Sequence, residues 1–224
     1  MLDGVTLLLA GAGERGVGMF AEDRAGEPEA HAAPGAAIEV GAEQPLGAGV
    51  AGACTGLGAR VLGCALGDPG SPDFEQAVER TAQAAVERAM SQRAGVDVLV
   101  VDAASVFAGG AQPGLRACLD ASWNVTRAVA NAAFLPAGRG GRVVYLAPPA
   151  GAGPHAEAAC AGLENLARTL SIEWARHCVT TTAIAPGGGR DAAMQAAALT
   201  AYLASPAGAY FSGCLLDLRG PARG

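Results

Sequence analysis

Cys118 and Cys160 carry thiols, His155 an imidazole and Tyr145 a phenol, and these are the groups from which proton transfer or nucleophilic attack could be built. A glycine-rich stretch, AGAGERGVG at 10–18, offers a second chemistry: Gly11, Gly16 and Gly18 would let backbone N–H groups approach a phosphate. Each feature also has a plain reading. A cysteine in apolar surroundings behaves as a small hydrophobe, a histidine at a helix start is a surface or capping residue, and a tyrosine inside a strand packs. The six cysteines (Cys54, Cys64, Cys118, Cys160, Cys178, Cys214) show no CxxC spacing, and no Cys/His spacing suits a metal. The chain has no lysine; all fifteen basic residues are arginine, so lysine-dependent catalysis has no residue to use.

The elements that must position these groups alternate along the chain. Short apolar, β-branched runs at 5–10, 37–40, 60–65, 96–101, 142–146, 179–184 and 212–216 read as strands, separated by helical stretches. The run at 96–101 is almost uninterrupted by polar residues, as in a central strand covered on both faces. The helix expected at 74–93 places Phe74, Val78, Ala82, Val86 and Met90 at steps of four. Long helices at 115–134 and 157–177 follow the next two strands, the second with Leu163, Leu166 and Leu170 on one stripe. This pattern predicts one α/β domain over 1–224. It is a three-layer, Rossmann-type fold, a doubly wound seven-stranded parallel sheet with helices on both faces.

Composition bounds what such a domain does. Apolar residues make up 51% of the chain and aromatics only 4%, which suits close helix-on-sheet packing. The net charge of −6 argues against nucleic acid, whose phosphates require a basic face. Most of that charge lies between Met19 and Gln44, where Glu22, Asp23, Glu27, Glu29, Glu39 and Glu43 oppose Arg24 alone. Gly26, Pro28, Pro34 and Gly35 break the first crossover helix in the same region. No apolar run approaches the ~20 residues of a membrane span, and 5–10 lacks the basic flank of a signal peptide. Reduced thiols in a cytoplasmic, bacterial protein are expected.

Five segments, in order, resemble the short-chain dehydrogenase/reductase family. VDVLVVDAA (96–104) resembles the family's DVLVNNAG strand, and SWNVTRAV (122–129) the helix after it. GRVVYLAPP (141–149) stands where the family has its G-x-I-V-x-x-S-S strand. AGLENLARTLSIEWARHCVTTTAIAPGG (161–188) resembles the family's helix, strand and PG loop, and AYLASPAGAYFSGCLLDLRG (201–220) its last helix and strand. The resemblance implies a catalytic tyrosine with a lysine four residues on, a serine that polarises the substrate oxygen and an asparagine that anchors a water. At those positions this chain has Ala156, Cys160, the pair Ala147 and Pro148, and Cys118. None of these can take the family role. Tyr145 and His155 lie beside the site without matching it: neighbours on a helix point roughly 100° apart, so His155 would not aim where the tyrosine did.

The cofactor positions implied by the resemblance are degraded as well. The family's T-G-x-x-x-G-x-G becomes AGAGERGVG, with Ala10 for threonine and one extra residue between Gly11 and Gly16; Gly18 ends the pattern. Asparagine of NNAG is replaced by Val101, followed by Asp102, and GGGRDAAM (187–194) lacks the threonine after the PG turn. Asp68 in LGDPG matches the aspartate that meets adenine, and an aspartate before Pro-Gly is equally a turn former. What the resemblance implies is a catalytically silent subunit. Its partner would be an intact relative in a hetero-oligomeric alcohol or hydroxyacyl-CoA dehydrogenase, or a second copy of itself, joined through helices 115–134 and 157–177 and the last strand. Cofactor binding by this chain is vestigial at most (Gly11, Gly16, Gly18, Asp68), and NAD(P) is left to the partner. Two alternatives stand beside it: a repurposed enzyme for cyclisation, dehydration or thiol chemistry at Cys118 or Cys160, and a small-molecule binding protein.

Overall fold

The computed structural model describes residues 1–11, 46–68, 70–92, 95–107 and 112–220. The first strand, β1 (Thr6–Gly11), is buried along its whole length. Helix α1 (Leu46–Gly56) leads into β2 (Arg60–Ala65), and α2 (Phe74–Ser91) into β3 (Val98–Asp102). The short α3 (Ala103–Val106) precedes α4 (Gln112–Val129), which runs through a π turn at Ala130–Phe134 into α5 (Leu135–Ala137). Then come β4 (Gly141–Leu146), α6 (Ala156–Glu173), β5 (Val179–Ala185), α7 (Ala192–Ala204) and β6 (Cys214–Asp217).

The strands form one parallel sheet in the order β2-β1-β3-β4-β5-β6. The period-two geometry of a strand sends alternate side chains to opposite faces. Leu8, Leu99, Val101 and Tyr145 accordingly enter a core beneath α2, α4 and α6, whereas Leu7, Leu9, Val98, Val100 and Ile184 enter one beneath α1 and α7. Helices on both faces explain why β1 and β3 tolerate continuous apolar sequence.

The described residues form six of the seven expected strands; the seventh, expected at 37–40, lies outside the described residues, as do Gly16 and Gly18 of the glycine pattern. The strand 60–65 lies directly against β1, with Thr6 opposite Arg60 and Gly11 opposite Ala65. Within α2, Phe74, Val78, Ala82 and Val86 are buried, but Met90 is exposed and Ala89 takes its place in the core. Steps of four overshoot the 3.6-residue turn by about 40° each, so the stripe drifts off the buried face. Among the described residues no helix is long and apolar enough to cross a membrane.

Candidate functional site

In an open α/β sheet the ligand crevice lies at the carboxyl ends of the strands, where strand order reverses. Here that point falls between β1 and β3, at Gly11 and Asp102. The sequence VLVVD-AAS builds it simply: an apolar strand ends in an aspartate that caps the helix following at once. Asp102 Oδ1 accepts the Ser105 N–H at 3.2 Å, and the Ser105 hydroxyl donates to the Asp102 carbonyl at 2.7 Å.

The other carboxylate oxygen reaches across the crevice. Asp102 Oδ2 accepts the N–H of Gly47, in the first turn of α1, at 3.0 Å. Gly47 must be glycine for this approach, since a methyl there would lie 2.7 Å from Asp102 Oδ2. Gly11 is under similar pressure, for its methyl would meet Ser105 Oγ at 3.1 Å and Asp102 Cβ at 3.4 Å. Free N–H groups and the helix dipole favour an anion at a helix N-terminus. At the start of α1 a carboxyl group of the chain's own holds one such N–H, and the residues that follow Gly11 in the glycine stretch lie outside the described residues. Asp102 is 5% exposed. Burial raises its pKa from the ordinary carboxylate value, and the N–H groups of Ser105 and Gly47 oppose that rise.

A cavity of about 250 Å³ remains beside it, lined among others by Leu46, Asp102, Ser105, Pro149, Gly188 and Arg190. Pockets for drug-sized ligands run to roughly 300–1,000 Å³. The described residues leave a small space here, with the buried Asp102 side chain on its lining.

The positions implied as catalytic all lie in the buried core. Cys118, Ala147, Ala156 and Cys160 belong to one buried cluster, and Pro148 is buried beside them. The Cys118 thiol is pushed up to about 12, first by burial and then by the Asp102 charge. The Cys160 thiol is raised too, by burial first, with Arg219 pulling it down and Glu157, Asp217 and Glu164 pushing it up. Neither is a thiolate at neutral pH, so neither is primed as a nucleophile.

The remaining candidates fall into place as packing and turn residues. Tyr145 is fully buried, its hydroxyl paired with Thr126 Oγ1 at 3.0 Å, and burial raises its pKa above that of a free phenol. His155 is exposed in the left-handed conformation (φ 71°) just before α6 and makes no side-chain cap. Asp68 is exposed and accepts the Gly70 N–H at 2.9 Å, closing the turn after β2. Arg219 ties the chain after β6 to the first turn of α6, bonding Asp217 Oδ2 and Glu157 Oε2, both at 2.7 Å. Among the described residues no three His, Cys, Asp or Glu side chains are grouped to hold a metal ion. The sequence reading named Asp102 only as a departure from the family pattern. The signal for its cap on α3 was present, an acid ending an apolar strand with Ser three residues later, but nothing in the sequence marked its bond to Gly47.

No protein-family model matches the chain, and no curated protein sequence matches it. Solved structures do. A short-chain dehydrogenase/reductase variant from Serratia marcescens superposes with a TM-score of 0.65 at 18% identity, covering 97% of this chain and 96% of its own. An oxidoreductase (short-chain dehydrogenase/reductase) from Brucella ovis gives 0.64 at 16% identity over 96% and 99%. The enoyl-acyl-carrier-protein reductase (NADH) from Aquifex aeolicus gives 0.63 at 18% over 98% and 97%. At these identities the likeness establishes the architecture: the chain has the fold of the short-chain dehydrogenases/reductases.

Proposed function

We propose that this chain is a non-catalytic member of the short-chain dehydrogenase/reductase family that assembles with an intact relative in an NAD(P)-dependent alcohol or hydroxyacyl-CoA dehydrogenase. The observation that carries this reading is the buried Asp102 carboxyl group bonded to the Gly47 N–H, which occupies the start of α1 at the crevice. The closed, apolar positions at Cys118, Ala147, Ala156 and Cys160 support it, because no group there can exchange a proton with a substrate. Assembly has its own support. Trp123 on α4 and Ile172 on α6 are 42% and 76% exposed, on the two long helices the family resemblance assigns to subunit contacts. Catalysis and cofactor binding then fall to the partner. Thiol chemistry has weaker support, since burial holds both Cys118 and Cys160 protonated.

The test is to purify the chain alone and with the intact dehydrogenase subunit encoded nearest to it. The chain alone is expected to show no saturable binding of NAD(H) or NADP(H) and no alcohol–ketone turnover. The co-purified pair is expected to turn over, with the nucleotide held in the partner. Turnover by the isolated chain would refute the reading.

A further inference from the structure

We propose a binding site for small oxyanions, phosphate or carboxylate, at the floor of the sheet, opposite the β1–β3 crevice and independent of the assembly reading above. The amino ends of β4 and β5 open onto a cavity of about 550 Å³, more than twice the volume of the one at the crevice. That size lies within the range of small-molecule sites. Asp97, Arg139, Arg142, Cys178, Thr180 and Ser212 are among its lining residues.

Two arginines, Arg139 and Arg142, line this one space in a chain whose net charge is −6. Backbone geometry gathers them. Gly140 (φ 79°) and Cys178 (φ 56°) are both left-handed, and the Gly141 N–H donates to the Cys178 carbonyl at 3.4 Å. A methyl on Gly140 would collide with that carbonyl, so the turn before β4 is locked against the turn before β5. Arg139 and Arg142 flank the lock in sequence. Arg139 forms no ion pair or side-chain hydrogen bond among the described residues, and its guanidinium lies over Gly95, where a methyl would overlap it. Arg142 donates Nη1 to the Ala204 carbonyl at 3.1 Å and forms no ion pair among the described residues.

The one acid among the described lining residues does not cancel them. Asp97 Oδ2 accepts the Thr6 N–H at 2.8 Å, and Asp97 pairs with neither arginine. Ser212 Oγ accepts the Thr181 N–H at 3.4 Å, which leaves its own O–H as a donor beside the Thr180 hydroxyl. Guanidinium forks with neutral hydroxyl donors match the oxygens of phosphate and carboxylate groups.

Cys178, exposed on the lining, reports on the site. Its reaction rate would be measured with a dianionic aromatic disulfide and with a neutral dipyridyl disulfide, the Cys178→Ser variant giving the background. Arg139→Gln is expected to lower the ratio of anionic to neutral rates by about threefold to tenfold, the effect of one nearby unit charge at a protein surface. Arg139→Lys should keep most of the ratio. Arg139 has no partner among the described residues to lose, and circular dichroism would confirm that the variants remain folded. Inorganic phosphate or citrate, at ionic strength matched with chloride, should slow the anionic reaction of the unmodified protein and not that of Arg139→Gln. Protection at the lower concentration by phosphate or by citrate tells a phosphate site from a carboxylate site. Equal ratios in the unmodified protein and Arg139→Gln, or no protection beyond that of chloride, would overturn the proposal.

Discussion

Gly47→Ala and Gly52→Ala are the same substitution in the same helix, and the structure assigns them opposite signs. At Gly47 the new methyl would lie 2.7 Å from Asp102 Oδ2 and 3.5 Å from its Cγ. The carboxylate cannot retreat without lengthening its 3.0 Å bond from the Gly47 N–H or its 3.2 Å bond from Ser105. A hydrogen bond to a charged group contributes about 1.5–3 kcal/mol. Replacing glycine by alanine inside a helix returns at most about 1 kcal/mol. Gly47→Ala should therefore destabilise by about 0.5–2 kcal/mol. At Gly52 nothing lies within 4 Å of the new methyl and the residue is exposed, so only the helix-propensity gain remains, about 0.5–1 kcal/mol. Urea unfolding would show the two midpoints moving in opposite directions at unchanged slope. In thermal unfolding each kcal/mol corresponds to about 2–4 °C for a domain of this size. If Gly47→Ala raised the midpoint as Gly52→Ala does, the Asp102 carboxylate would not be holding the first helix, and the reading of the crevice would lose its foundation.

Three further outcomes are expected. Because burial raises the Asp102 pKa, its protonated form contributes stability that is complete below the unfolded carboxylate value and lost as pH rises through the folded one. The stability difference between the unmodified protein and Asp102→Asn should accordingly change above pH ~4, and a difference flat with pH would contradict the burial. Asp217 behaves the other way: hydrogen bonds from the Arg219 side chain and backbone hold it at about 2, so whatever the bridge contributes is lost as pH falls from about 3.8 towards 2. That contribution is small, under about 1 kcal/mol for so exposed a pair, and Arg219→Gln should reduce the acid dependence with little effect at neutral pH, the backbone N–H of residue 219 remaining as a donor. Finally, Tyr145→Phe should cost about 1–2 kcal/mol by leaving Thr126 Oγ1 without its partner, whereas adding Thr126→Val should recover part of the loss. Additive costs in that double-mutant cycle would show that the pair does not interact.

The architecture was legible because the physics that sets it is local and periodic. The run VLVVD announces a doubly covered strand by composition alone, and the strand at Arg60–Ala65 was bounded to the residue. What periodicity does not carry is which strands become neighbours. The pairing of Arg60–Ala65 with β1 follows from how α1 crosses back, a tertiary fact. Met90 shows the same limit on a smaller scale, since one residue of helical phase separates core from solvent. That Ala156 and Cys160 differ from the residues the family resemblance implies could be read from residue types. The role of Asp102 could not, because its partner at Gly47 is 55 residues away in sequence and contributes only a backbone N–H, which leaves no side-chain signature.

Native mass spectrometry of the tagged chain isolated from its source cells, with bound nucleotide assayed in the same sample, tests the central claim most directly. The account predicts a hetero-oligomer containing an intact dehydrogenase subunit, with NAD(P) present in step with that subunit alone. A homo-oligomer or monomer of this chain carrying its own nucleotide would contradict it.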